Sequence, residues 1–151
     1  MTEADEEFQQ FGPSSKLPIA AAIVALIGLG DSVYLTIHHL TAEPVPCSIV
    51  SGCETVLTST YAEIAGIPLA GFGAIAYFIA FSLALLTIFG NRTMWLLFGL
   101  LTIGMAGFTA WLLYLQAFVI NAFCQFCLLS AATTIILFPI AVFSRFWRKT
   151  P

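Results

Sequence analysis

What this chain has least of is charge. Only 9% of its 151 residues are Asp, Glu, Lys or Arg, while 60% are hydrophobic and the mean hydropathy is +0.98. A water-soluble globule carries about a quarter charged residues, so that class is excluded. Basic side chains are scarcer still: Lys16, Arg92, Arg145, Arg148 and Lys149 are the whole set of five, and no nucleic-acid partner is expected. No secretory signal peptide is indicated, because the first 15 residues are polar and acidic, with Glu3, Asp5, Glu6 and Glu7, and the apolar run behind them is too long for a signal core. Internal repeats and low-complexity tracts are lacking as well. Cysteine is rare, four residues in all, so the place of each one carries information.

What is present is apolar and long. Residues 17–37, 67–89, 93–120 and about 123–143 each approach or exceed the roughly 20 apolar residues that cross a bilayer. Backbone polar groups in lipid need partners within their own segment, so the spans are expected to be helices. The expected fold is an all-α membrane protein, a four-transmembrane-helix bundle. A long extracytoplasmic loop, carrying a short lid helix, joins its first and second helices. Residues 1–15 read as a disordered cytoplasmic tail, 16–147 as one transmembrane domain and 148–151 as a second cytoplasmic tail. The basic residues fall before the first span, between the second and third, and after the fourth; the loop from about His38 to Gly66 and the turn at Asn121 have none. The positive-inside rule then puts both termini in the cytoplasm and those two connections outside, as in a multi-pass protein of a cell (inner) membrane.

Several residues stand out along this frame. Asp31 lies in the outer half of the first span, where a carboxylate normally faces the bundle interior or water. It reads either as a hydrogen-bonded interior group or as a proton carrier, and His38 and His39 at the interface invite the same second reading. In the outer loop, Val56, Leu57, Tyr61, Ile64 and Ala65 recur at helical spacing, which predicts an amphipathic lid across the bundle mouth, with Ser59 or Thr60 available to cap it. Pro68 suits the first turn of the second span, and Pro139 is expected to kink the fourth. Small residues, among them Gly28, Gly30, Gly71 and Gly73, permit close helix approach.

All four cysteines fall on the extracytoplasmic side: Cys47 and Cys53 in the loop, Cys124 and Cys127 at the outer end of the fourth span. Disulfides form and persist outside the cytoplasm. Thiols three residues apart share one face of a helix, and in its first turn they meet its positive end, which favours thiolate. Three uses are open. A structural staple suits Cys47 with Cys53 but not Cys124 with Cys127, since so short a loop stabilises little. A four-cysteine zinc site would want a polar shell, whereas Phe123, Phe126, Leu128 and Leu129 surround the second pair. A relay, with one pair facing soluble partners and one facing a lipid-soluble acceptor, uses both pairs as found.

The order of these elements resembles the vitamin K epoxide reductase family, in particular prokaryotic members without a fused thioredoxin-like domain. The resemblance rests on Asp31-Ser32-x-Tyr34-Leu35-Thr36, Cys47 and Cys53, Val56 and Ser59, Gly66-Ile67-Pro68-Leu69…Gly73, and Cys124-Gln125-Phe126-Cys127, and it covers about residues 17–145. It implies a bundle holding a quinone (menaquinone, ubiquinone or vitamin K-like) at its outer end. It also implies electrons arriving from a separate, soluble extracytoplasmic thioredoxin-like (DsbA-like) protein, in support of disulfide bond formation. Carried over by position, Cys47 is attacked by the partner, Cys53 is released to attack Cys124, and Cys127 faces the quinone. The quinone is expected against Cys127, Phe126, Phe72, Trp111, Ala131 and Leu69, with Asp31 and His39 in proton transfer and no metal. Leu69 and Ala131 stand where the animal enzymes carry polar groups for the vitamin K head group. A quinone held by packing is therefore expected first, and reduction of vitamin K quinone or epoxide second. A second family of four-span quinone-dependent oxidases has its C-x-x-C pair in the first outer loop, the reverse of the order here. The alternative from a different class is a non-enzymatic tetraspan protein with structural outer-loop disulfides.

Overall fold

The computed structural model describes residues 16–147; the two expected tails, 1–15 and 148–151, lie outside the described residues. Helix α1 (Lys16–Thr41) leads into a loop holding a one-turn helix, α2 (Cys53–Leu57), and two two-residue strands, β1 (Glu63–Ile64) and β2 (Ile67–Pro68). Helix α3 (Leu69–Ile88) follows, then α4 (Arg92–Tyr114), which continues as a π-helical segment, Leu115–Ile120, and last α5 (Gln125–Trp147). The α1, α3, α4-plus-π and α5 segments are the four long and apolar enough to cross a membrane, and the chain is a multi-pass membrane protein. Around the bundle, α1 packs on α3 and α5, and α4 packs on the same two.

Small side chains decide how closely α1 and α3 approach. Ala21 and Ala25 of α1 share one buried cluster with Tyr77, Ala80 and Ala84 of α3, and Gly28, buried one turn further along α1, faces Tyr77. Lipid tails are as apolar as the side chains they touch, so association gains from packing and interhelical hydrogen bonds. Tyr77 supplies both. Its ring lies over Gly28, leaving no room there for a Cβ. Its hydroxyl lies 2.7 Å from the Ser130 carbonyl, 2.6 Å from Thr133 Oγ1 and 2.9 Å from Thr134 Oγ1, which joins α3 to α5. Towards the far end, Trp95 of α4 stacks on Phe98 and donates its indole N–H to Ser144 of α5. Leu26, Ile75, Leu100, Ile135 and many like them point outward. So apolar a surface has lipid as its natural solvent.

The expected spans are all present, with shifted ends. The first runs on to Thr41, because its outer end carries on past the bilayer-length run, and the second begins at Leu69, with Pro68 as its N-cap in extended conformation. Asn91 caps α4 by accepting the Thr93 N–H, 3.2 Å away, just after Gly90 turns the chain at φ +96°. Helix α5 passes through Pro139 without a break.

The expected lid is corrected. Its helix is limited to Cys53–Leu57, and the apolar residues beyond belong to a β-hairpin, with Ile64 opposite Ile67 and Glu63 opposite Pro68. Ala65 and Gly66 form its two-residue turn, both at positive φ, as tight hairpins require. Ser59 caps no helix start; its hydroxyl donates to the Val56 carbonyl 2.7 Å away and closes α2 at its C-terminal end.

Replacing Gly28 by Val is expected to displace the Tyr77 ring and cost about 1–3 kcal/mol, seen as a lower thermal midpoint in detergent. Gly99→Ala, at a site where a Cβ would meet nothing within 4 Å, is the control and is expected to leave the midpoint unchanged or raise it.

Candidate active site

The four cysteines converge at one end of the bundle. Cys47 and Cys53 form a disulfide with Cα atoms 6.2 Å apart; Cys124 and Cys127 are free thiols. Cys53, Val56 and Cys124 make a buried cluster, and Cys47, Leu57, Ile120, Ala122, Phe126 and Cys127 pack against it. Cys53 is 1% exposed and Cys124 0%, while Cys47 is half-buried.

Two contacts bring the loop pair to the second pair. A Cβ on Gly52 would fall 2.5 Å from the Phe123 carbonyl oxygen and 2.8 Å from its nitrogen, so only glycine lets the loop lie this close to the 122–123 main chain. The second contact is made by Gln125, between the two thiols, whose Oε1 accepts the N–H groups of Ser48 (3.2 Å) and Ile49 (2.9 Å). The loop is thereby anchored just after Cys47 and just before Cys53.

The C-x-x-C pair is set by the turn ahead of it. Asn121 ends the π segment in the left-handed conformation, which its short polar side chain tolerates. The Ala122 N–H then returns to the Gln116 carbonyl at 3.1 Å, and the Cys124 N–H to Gln116 Oε1 at 3.3 Å. The Cys124 carbonyl accepts the first helical hydrogen bond, from Leu128 at 2.9 Å. Cys124 thus stands at the mouth of α5, one residue ahead of the spanning helix. Its pKa is lowered to about 7, chiefly by the hydrogen bond from the Cys127 thiol and in spite of burial. That shift favours the thiolate, the form that attacks disulfides.

Beneath the cluster lies a cavity of about 520 Å³ with Cys127 in its wall. Its other walls are apolar faces of α3, α4 and α5, with Val56, Leu57 and Tyr61 above. Small-molecule sites typically run from roughly 300 to 1,000 Å³ and are mostly apolar with a few polar groups. Of the residues expected around an acceptor, Leu69, Phe72, Ala131 and Cys127 line it. Phe126 does not; its ring packs against Tyr34 at 5.2 Å beside the cysteines. Trp111 is turned outward, 48% exposed, and pairs with Phe108 at 5.6 Å.

His39 also lines the cavity, and its Nε2 lies 2.7 Å from Glu63 Oε1, linking the end of α1 to the hairpin. Asp31 is buried among the bundle helices, with no hydrogen-bond partner for either carboxylate oxygen among the described residues. Its neighbour Ser32 lines the cavity that also holds Cys127. Gln116 escaped the sequence reading because it sits inside a run of apolar residues. Its one signal is that it is a polar residue within a span, and such residues seldom face lipid.

Residues 19–142 match the family model described as Vitamin K epoxide reductase family. The match takes in all four cysteines and almost the whole bundle.

With Cys47 and Cys127 replaced by Ser, the remaining Cys53 and Cys124 are expected to form a disulfide under mild oxidation, read by mass spectrometry of the thiol-blocked protein. Adding Gln125→Leu is expected to slow this about five- to thirtyfold, the equivalent of one or two hydrogen bonds of about 1 kcal/mol.

Proposed function

The chain belongs to the vitamin K epoxide reductase family, and from that membership we propose that it oxidises a separate thioredoxin-like protein outside the cytoplasm and delivers the electrons to a membrane quinone. At the level of class, it is a membrane thiol oxidoreductase. The finer reading is carried by one observation: both cysteine pairs share a buried cluster, in which Cys47 is half-buried and Cys127 lines an apolar cavity.

The steps balance as follows. A thiolate of the reduced partner attacks Cys47 Sγ, and Cys53 leaves as thiolate. The partner's second thiol attacks the mixed disulfide and frees Cys47, so the partner leaves oxidised and the loop pair holds two electrons. Cys53 next attacks Cys124 of an oxidised Cys124–Cys127 pair, and Cys127 leaves as thiolate. Cys47 then attacks Cys53, which restores the loop disulfide and leaves Cys124 and Cys127 reduced. Each step is thiol–disulfide exchange through a mixed disulfide. A bound quinone accepts the two electrons and two protons of the Cys124–Cys127 dithiol and leaves as hydroquinone.

The apolar walls fit a quinone ring held by packing. Leu69 and Ala131 offer no polar contact to a head group, which favours a benzoquinone or naphthoquinone over an epoxide that needs a proton donor. Asp31 is assigned the proton given up by Cys127, since it is buried, without a hydrogen-bond partner among the described residues, and adjacent in sequence to Ser32, which lines the same cavity as Cys127. His39, paired with Glu63 at the cavity rim, is assigned proton exchange with solvent. The absence of basic residues between Lys16 and Arg92 supports placing the cysteine end outside and both termini in the cytoplasm.

Reduced thioredoxin-like protein, added anaerobically with a naphthoquinone, is expected to be oxidised with loss of quinone absorbance. Cys127→Ser should abolish quinone reduction while a partner adduct on Cys47 still forms. No quinone-dependent oxidation by the wild-type protein would sink the assignment. Asp31→Asn is expected to slow hydroquinone formation at least ~tenfold, the low end for loss of a proton-transfer group, with Cys53–Cys124 exchange at its wild-type rate; equal slowing of both would make Asp31 structural.

A further inference from the structure

We propose that Gln116 binds the quinone head group, donating its amide N–H to the ring carbonyl nearest Cys127, so that one side chain aligns the acceptor with the sulfur pair. This rests on the quinone reading above and names a contact for it. Gln116 is 4% exposed and lies in the π segment at the end of an apolar span. A primary amide carries two N–H donors and an oxygen acceptor, and each such group left unmade in a dry interior is costly. Burial here therefore requires partners.

The oxygen has one: Gln116 Oε1 accepts the Cys124 N–H at 3.3 Å. A backbone N–H can only donate, so this bond fixes the amide orientation and turns Nε2 away from Cys124. No hydrogen-bond partner for Nε2 is present among the described residues, yet the atom is not sealed in protein, and Gln116 lines the cavity that also holds Cys127. Several other polar side chains in that wall are already engaged, whereas Ser32, Tyr61 and Thr109 make no side-chain hydrogen bond among the described residues and lie on other residues than the one that holds Cys124. Tyr77 bonds Ser130 and Thr134, Ser59 bonds the Val56 carbonyl, and His39 bonds Glu63. A donor with no partner among the described residues, on a residue that both lines the cavity and holds Cys124 in place, calls for an acceptor on the ligand. A quinone carbonyl is that acceptor. As electrons arrive, the carbonyl oxygen gains negative charge and the hydrogen bond strengthens, so the contact favours the reduced product side of the transfer.

The probe is menadione labelled with carbon-13 at its carbonyls, bound to the purified full chain in detergent and read by infrared difference spectroscopy. In the wild-type protein one carbonyl band is expected at lower frequency than for menadione in detergent alone, and Gln116→Leu should return it to the free position. The same substitution is expected to raise the KM for quinone about tenfold, the upper range for one neutral hydrogen bond, and to leave the KM for the reduced partner unchanged. Gln116→Met, close in shape, is the second variant if Leu disturbs folding, with Cys53–Cys124 cross-linking as the check that the cysteines are still in place. An unshifted wild-type band, or a shift that survives both substitutions, overturns the inference. If either occurs while the wild-type chain still reduces menadione, the quinone reading stands without Gln116. If the wild-type chain neither binds nor reduces menadione, the quinone reading itself falls.

Discussion

The contact on which the cysteine end depends is the seating of Gly52 against the main chain of Ala122 and Phe123. It is a backbone-on-backbone contact, closed to any residue with a Cβ. Gly52 immediately precedes Cys53, and Phe123 immediately precedes Cys124. Pressing those two glycine- and phenylalanine-bearing peptides together therefore carries the two buried sulfurs into one cluster. Sequence separation between the pairs is large, and a flexible loop would meet the end of α5 only at an entropic cost. The seat at Gly52 and the double acceptance by Gln125 hold that loop ordered before any chemistry begins.

Below this layer the bundle solves a different problem. Lipid offers no hydrogen bonds, so polar side chains in the spans gain from partners on neighbouring helices. Tyr77 with Ser130, Thr133 and Thr134, and Trp95 with Ser144, do so pairwise across helices. These contacts also fix where α5 stands relative to α3, and hence the height at which Cys127 meets the cavity. The Tyr77 network begins only three residues beyond Cys127, at Ser130, so the sulfur sits on a part of α5 that is tied down from the side.

How much of this could be read from sequence depended on the length scale of the signal. Spans of more than twenty apolar residues are unmistakable, and the cysteine order against those spans led to the family that residues 19–142 match. Short-range signals were ambiguous. Val56, Leu57, Tyr61, Ile64 and Ala65 have helical spacing, yet only the first two lie in α2, because Ala65-Gly66 forms a tight turn whose left-handed backbone no periodicity count registers. Trp111 was expected at the cavity from its height in the membrane, but height does not give azimuth, and its ring faces outward. Gln116 was hidden by its neighbours: a hydropathy average over Leu115–Ile120 conceals one amide, and only the fold reveals that the amide holds Cys124. Long-range juxtapositions, such as Gly52 on Phe123, leave no local trace at all.

The anchoring of the loop at Ser48, Ile49 and Gly52 brackets the Cys47–Cys53 bridge from within. Both attachments are made to α5 or the turn ahead of it, and neither runs through sulfur. When that bridge opens, its two halves stay pinned like the leaves of a hinge whose pin has been drawn but whose screws remain in the frame. Opening of the bridge would therefore call for no new seat for the loop, since the contacts that place it on α5 would outlast the bond.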